Sequence, residues 1–274
     1  MKAIKLILLG VSLFSILPLG AQVFDKPRSL AEADSLDRVQ YRVLYQLDFI
    51  SDPTDREYVT QDQVRLDIGT QISKVYSLKH YQADSAATPL IETGQFPRKI
   101  VTDVVPPMIL YRGYPKTQDI TTDYRLPAGA HVMSYVEPKP TLQWQVKPEK
   151  REILGHSCQR AEVSFGGRQW IAWFTSEIPL SEGPYKFGGL PGLILEVADS
   201  EGDYRYTCIG IANLSAGENI VRWKWNQRPT TRKELEKIIV QLYANPEQAI
   251  KALGGRMGFK GDPMLNLPYN PIEK

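Results

Sequence analysis

Tyr41, Val43, Tyr45, Leu47 and Phe49 alternate with Arg42, Gln46 and Asp48. Successive side chains of a strand point to opposite faces, so this spacing writes a strand with one buried and one wet side. The period returns at Val64, Leu66 and Ile68 against Arg65 and Asp67, and resumes over 72–78 after Gly69-Thr70, which predicts a hairpin. Short apolar runs at 108–111, 120–124, 132–136, 142–146, 193–197, 205–211 and 220–225 are separated by Pro and Gly. The clearest hairpin joins 158–165 to 168–175 through Gly166-Gly167, a pair that supplies the positive φ values of a two-residue turn. Val221, Trp223 and Trp225 share a face opposite Arg222 and Lys224.

Helical spacing is confined to the end. Thr231 and Glu234 fit a capping box, Leu235, Ile238, Ile239 and Leu242 form one apolar stripe, Asn245-Pro246 can open a second helix, and Gly254-Gly255 can close it. Residues 22–35 read as a polar leading segment with a short helix near Ala31. Residues 80–107 read as a long excursion rich in Asp, Ser, Thr and Pro, and the tail over 257–274 as surface chain. Closely spaced strands with hairpin turns imply antiparallel connections. The expected fold is mainly β (α+β), a curved antiparallel sheet or open barrel with helices over about 231–254 packed against it, in one domain spanning 22–274.

Residues 1–21 read as a signal peptide: Lys2 and Lys5 lead an apolar run over 6–17, and Pro18-Leu19-Gly20-Ala21 ends it with small residues before the expected cut. The run is too short for an anchor, which takes roughly 20 residues, and no later segment is apolar enough to cross a bilayer as a helix. The chain holds 33 Lys+Arg and 31 Asp+Glu. Both leader lysines leave with the leader, so the mature balance is even and offers no basic footprint for nucleic acid. Export places Cys158 and Cys208 in an oxidising compartment, which favours a bridge between them over two separate buried thiols.

The most distinctive stretch runs from Ile178 to Leu195 and holds Gly189-Leu190-Pro191-Gly192-Leu193-Ile194. Pro191 presets the second position of a tight turn and Gly192 accepts the positive φ of the third. This string resembles the GLPGLI family of exported bacterial envelope proteins. The flanks are similar too: Gly155-His156-Ser157-Cys158 with Ala161, Gly167-Arg168, Trp170 and Ala172-Trp173-Phe174-Thr175, with His156 standing where an aromatic is usual. The resemblance implies export and a domain of this size; the expected location is the periplasm, the outer membrane or the extracellular space. It implies no activity and no catalytic residue.

Chemistry is sparse. His80, His131 and His156 are the only imidazoles, without a His-Glu-x-x-His spacing, and no Gly-x-Ser-x-Gly elbow occurs. His156 and Cys158 share a strand face, but a thiol in an oxidising compartment is better read as bridged or buried. Glu182, Glu196 and Asp199 bracket the motif and read as rim residues. No metal site, cofactor or catalytic set is expected. The candidate contact surface is a Gly-rich lip with its aromatics: Trp170, Trp173, Tyr185, Phe187, Gly188, Gly189, Leu190, Pro191 and Gly192. The expected role is a non-catalytic binding or carrier module for a small apolar or peptide ligand or an envelope protein. The alternatives are a hydrolase or peptidase with unfamiliar spacing and a structural partner of an outer-membrane complex.

Overall fold

The computed structural model describes residues 26–95, 106–126, 131–214, 217–252 and 268–274. The expected leader, the Gly254-Gly255 helix end and most of the 257–274 tail lie outside them.

In chain order the elements are β1 (Ala33–Arg38), β2 (Tyr41–Phe49), β3 (Thr60–Ile68), β4 (Ser73–Ser77), α1 (Leu78–Glu92), β5 (Met108–Arg112), β6 (Asp119–Arg125), β7 (Val132–Pro138), β8 (Gln145–Ile153), β9 (His156–Phe165), β10 (Arg168–Thr175), β11 (Leu193–Asp199), β12 (Tyr204–Asn213), β13 (Asn219–Trp223), β14 (Gln227–Pro229), α2 (Arg232–Ala244) and α3 (Pro246–Ala252). Twelve strands form one open sheet in the order β14-β7-β6-β5-β4-β3-β2-β12-β11-β10-β9-β8, and β1 pairs with β13 in a separate ribbon. Among the described strands, only β14 runs parallel to its neighbour. This is the mainly-β open sheet with helices that the alternation predicts.

One face of the sheet carries the core. Val43, Tyr45 and Leu47 from β2, Val64 and Leu66 from β3, Val75 from β4, Leu110 from β5 and Ile120 from β6 join Trp170, Phe174, Leu193, Leu195, Val197 and Tyr206 in one cluster. Fully burying an aliphatic side chain contributes about 1.5–3 kcal/mol, so these positions set the register against a one-residue slip. The β9–β10 hairpin has the expected geometry, with Phe165 opposite Arg168 and φ of 57° and 74° at Gly166 and Gly167. The capping box at Thr231 is present, and Leu235, Ile239 and Leu242 of α2 are buried.

Three sequence expectations are corrected. The segment near Ala31 holds no helix; β1 begins at Ala33 and pairs with β13, because its ladder partner arrives from almost 200 residues away and no local pattern announces it. The excursion over 80–107 opens with the 15-residue helix α1, capped by the Ser77 side chain accepting from the His80 N–H. Its buried positions are His80, Asp84 and Ala87, so it shows no apolar stripe. Finally, Cys158 and Cys208 are buried free thiols. Their strands, β9 and β12, are separated by β10 and β11, and each thiol donates to a nearby carbonyl, Cys158 to His156 O and Cys208 to Gly210 O.

Candidate functional site

The other face of the same strands carries charge. Ladder register aligns Arg42, Asp67, Lys74, Tyr111 and Thr121 as one row across β2, β3, β4, β5 and β6. Arg65 and Tyr76 are partners in the adjacent row. On a bare sheet these side chains would face water. Here α1 and the β1–β13 ribbon lie over them, and Trp223 of the ribbon is buried together with Tyr76, Ile109 and Tyr111 of the sheet.

The cover leaves a cleft of about 320 Å³. Lys74, Asp67, Arg65 and Tyr76 line it from the sheet, while Tyr81, Ser85, Thr88 and Pro89 of α1 and Glu218 to Val221 with Trp223 on the ribbon side form its walls. Small-molecule sites begin at about 300 Å³ and combine aromatic walls with a few placed polar groups.

Lys74 is 2% exposed. Its Nζ donates to Val221 O at 2.8 Å and lies 3.3 Å from the Trp223 ring centroid, 4.7 Å from that of Tyr76 and 5.4 Å from that of Tyr111. Burial pushes its pKa down to about 7, against the pull of Asp67 and Asp123. Asp67 is held by Arg42 Nε at 2.7 Å, Arg65 Nε at 3.0 Å and the Tyr76 hydroxyl at 3.0 Å. Burial nonetheless lifts its carboxyl above the ordinary range. Glu218 accepts from Arg42 Nη1 and Nη2 and from Arg65 Nη2. Arg65 also lies 5.4 Å from the centroids of both Tyr76 and Tyr81. The arrangement can hold an amine near its neutral point in a partly dry, aromatic cleft, next to a fixed guanidinium.

The lip residues lie elsewhere, on the core face. Trp170, Tyr185, Phe187, Gly188, Leu190 and Gly192 are buried, whereas Gly189 and Pro191 are exposed. Trp170 packs on Phe187 with centroids 4.7 Å apart. Trp173, three residues along β10, is half-buried and carries Arg151 over its ring at 4.2 Å. The structure therefore brings Trp170, Tyr185 and Phe187 together, with half-buried Trp173 packed against the same cluster. Buried Arg112 ties the segment down, donating to Phe187 O at 2.7 Å and to Ser73 Oγ, with Glu182 at 2.5 Å. The Tyr45 hydroxyl donates to Ile194 O, and Trp144 Nε1 to Gly188 O. At Pro191 the turn is tighter than the expected four-residue form: Gly192 N–H donates to Leu190 O at 2.8 Å, a three-residue γ-turn.

His156 and Cys158 do not form a nucleophile pair. The imidazole Nδ1 meets Glu177 Oε2 at 2.7 Å, and burial pushes the Cys158 thiol up to about 11. Glu196 pairs with Arg151 and Arg205, and Asp199 with Arg168. Arg168 also donates to Asp203, so a cation already occupies the Asp199, Glu201 and Asp203 group.

Sequence reading missed Lys74, because it alternates with Ser73 and Val75 and so reads as the solvent side of a strand. The available signal was the charged row itself, seen only when β2 to β6 are placed in register.

Comparison with known proteins gives a short family match and a likeness of fold. A family model described as "Protein of unknown function (Porph_ging)" matches residues 167–196. No curated protein matches the chain. Among solved structures, PNGF-II in space groups P21 and C2 superposes in each case with a TM-score of 0.50 at 13% identity over 75% of this chain. The match spans 34% and 33% of those chains, so this chain covers about a third of their length. At that identity the likeness is one of fold. The family match begins at the second glycine of the β9–β10 turn and runs through β10 and the Leu-Pro-Gly turn into β11, on the core side of the sheet rather than at the cleft.

Proposed function

We propose that this protein is an exported, non-catalytic binding module of the GLPGLI type, acting in the periplasm or at the outer membrane, and that its ligand site is the cleft above Lys74. The observation that carries this reading is a cleft of about 320 Å³ lined by buried polar and aromatic side chains of β3, β4 and the ribbon. Burying Lys74, Arg65 and Asp67 costs free energy that a purely structural layer of leucines would avoid. The apolar run over 6–17 after two lysines supports export, and the short family match around the motif is compatible with the GLPGLI reading. The segment over 178–192 acts in this reading as a plug that fills the core face, and the ligand binds on the opposite face.

Native mass spectrometry of the protein purified from its own envelope tests the reading: a retained small molecule is expected in the wild type and absent in Ser85→Trp, which fills the cleft from an exposed helix position. Equal ligand content in both proteins would place the site elsewhere. Cell fractionation tests export, for which the precursor retained in the cytosol with residues 1–21 attached would be the contrary result.

One observation favours a second reading, a hydrolase in which Lys74 moves protons: an amine with a pKa of about 7 beside Tyr76 and Asp67 is poised for general acid–base work. Turnover of a peptide, ester or glycoside panel that is lost in Lys74→Met with the fold intact is the result this reading requires.

A further inference from the structure

The charges in the layer under the ribbon do not cancel locally. Arg42 and Arg65 share the two carboxylates Asp67 and Glu218 through five hydrogen bonds. Asp123, the other carboxylate acting on Lys74, is taken by Arg222, whose Nε and Nη2 reach it at 2.9 and 2.8 Å. Lys74 is left as the surplus cation. An ammonium has three donors. Its accepting oxygen in the structure is Val221 O, and its other neighbours are ring faces. Arg65, whose Nε and Nη2 are engaged, also lines the cleft.

Resting on the reading of the cleft as a ligand site, we infer that its ligand is a small organic carboxylate. The carboxylate seats between Lys74 Nζ and the Arg65 guanidinium, and its apolar part lies against Tyr81 and Leu30. A monoanion cancels the surplus charge and supplies the acceptors that Lys74 lacks. Charge-assisted bonds of this kind are about twice as strong as neutral ones, and a dry, low-dielectric site strengthens them further. The volume suits a ligand carrying one flat or branched apolar group and has no room for a folded polymer chain.

The groups facing this site are Arg65 and Asp67 from β3, Tyr76 from β4, Tyr111 from β5, Asp123 from β6, Tyr81 from α1, and Glu218 and Arg222 from the β13 side. Of these, Lys74 is the cation that loses its proton near neutrality, so carboxylate binding takes up a proton above pH 7 and weakens as pH rises.

The test is calorimetric titration of the wild type, Lys74→Met and Ser85→Trp with phenylacetate and its neutral isostere phenylacetamide. In the wild type at pH 6, phenylacetate is expected to bind at least about tenfold tighter than the amide, as suits one desolvated charge pair. That preference should vanish in Lys74→Met, shrink by about fivefold at pH 9, and both compounds should be excluded by Ser85→Trp. Equal binding of acid and amide, blocked by Ser85→Trp, would overturn the carboxylate assignment while leaving the cleft a binding site. Binding of neither compound, or a preference that survives Lys74→Met, would overturn it as well. Should Lys74→Met fail to fold, persistence of the acid preference from pH 6 to pH 9 in the wild type decides against it.

Discussion

Lys74 Nζ lies 3.3 Å from the centroid of the Trp223 ring, closer than to any other aromatic ring beside it. A strand residue four places from the turn of a local hairpin thus meets an indole nearly 150 residues later in the chain. A cation over an indole face gains about 2 kcal/mol when desolvated. That gain and one carbonyl replace a full hydration shell, and burial wins: the folded protein holds the amine at about 7, far below its usual value of 10.5.

The sign of the pH effect follows. Between pH 7 and 10.5 the unfolded chain binds the Lys74 proton and the folded one does not, so stability attributable to this group rises with pH across that window. Below pH 7 its full cost is present, at most about 5 kcal/mol from the size of the shift. Lys74→Met keeps the unbranched stem and removes the charge. Urea midpoints should show the variant gaining most over the wild type at pH 6 and least at pH 10. A stability difference that is flat with pH would show that Lys74 is not held near neutrality.

Arg125 and Asp84 form a two-pronged buried pair at 2.6 and 3.0 Å, joining β6 to α1, and both side chains are nearly inaccessible. The Arg28 N–H also donates to Asp84. Asp84→Ala should cost about 3–5 kcal/mol, because it strands a buried guanidinium. The double variant Asp84→Leu with Arg125→Met should recover most of that loss. Chemical denaturation of the single and double variants checks this, and additive losses would mean that the two side chains act independently.

How much of this could be read beforehand depends on the range of the information. The β9–β10 hairpin was legible because Gly166-Gly167 and the flanking strands are contiguous. The capping box at Thr231 and Glu234 was legible for the same reason. Helix α1 was not, since its inward positions His80 and Asp84 are polar and Pro89 interrupts its second half. They become inward positions only once Arg125 is present across the fold. The cleft depends on β13 covering β4, and no window of the chain contains both. The motif over 189–194 reads as a turn into a buried strand, but its seat on Arg112 and Tyr45 needs the folded sheet.

The thiols offer a direct check on a corrected expectation. Burial pushes both Cys158 and Cys208 up to about 11, so neither is a nucleophile at pH 8. Alkylation of native protein at pH 8 should leave both unmodified, and alkylation in denaturant without reductant should add two groups by intact mass. Zero adducts in denaturant would mean that the pair is bridged.

Gly189 and Gly192 flank the same turn but should tolerate a methyl group very differently. At Gly192 an added Cβ would sit 2.0 Å from Thr175 O and 2.6 Å from its carbonyl carbon, both backbone atoms of the neighbouring strand β10. That approach cannot be relieved by a rotamer change, so β10 and the turn must separate. At Gly189 the space is open, and only its φ of +86° opposes a side chain. Left-handed strain for a non-glycine residue costs about 1–2 kcal/mol, whereas displacing backbone in a packed core adds about 1–3 kcal/mol of overpacking on top of strain. Gly192→Ala should therefore lower stability by about 2–5 kcal/mol and Gly189→Ala by about 1–2 kcal/mol. Thermal and urea unfolding of the two variants measure the gap. Equal losses would mean that the glycines serve backbone conformation alone, and that the close seat of the turn on Thr175 does not hold the segment against the sheet.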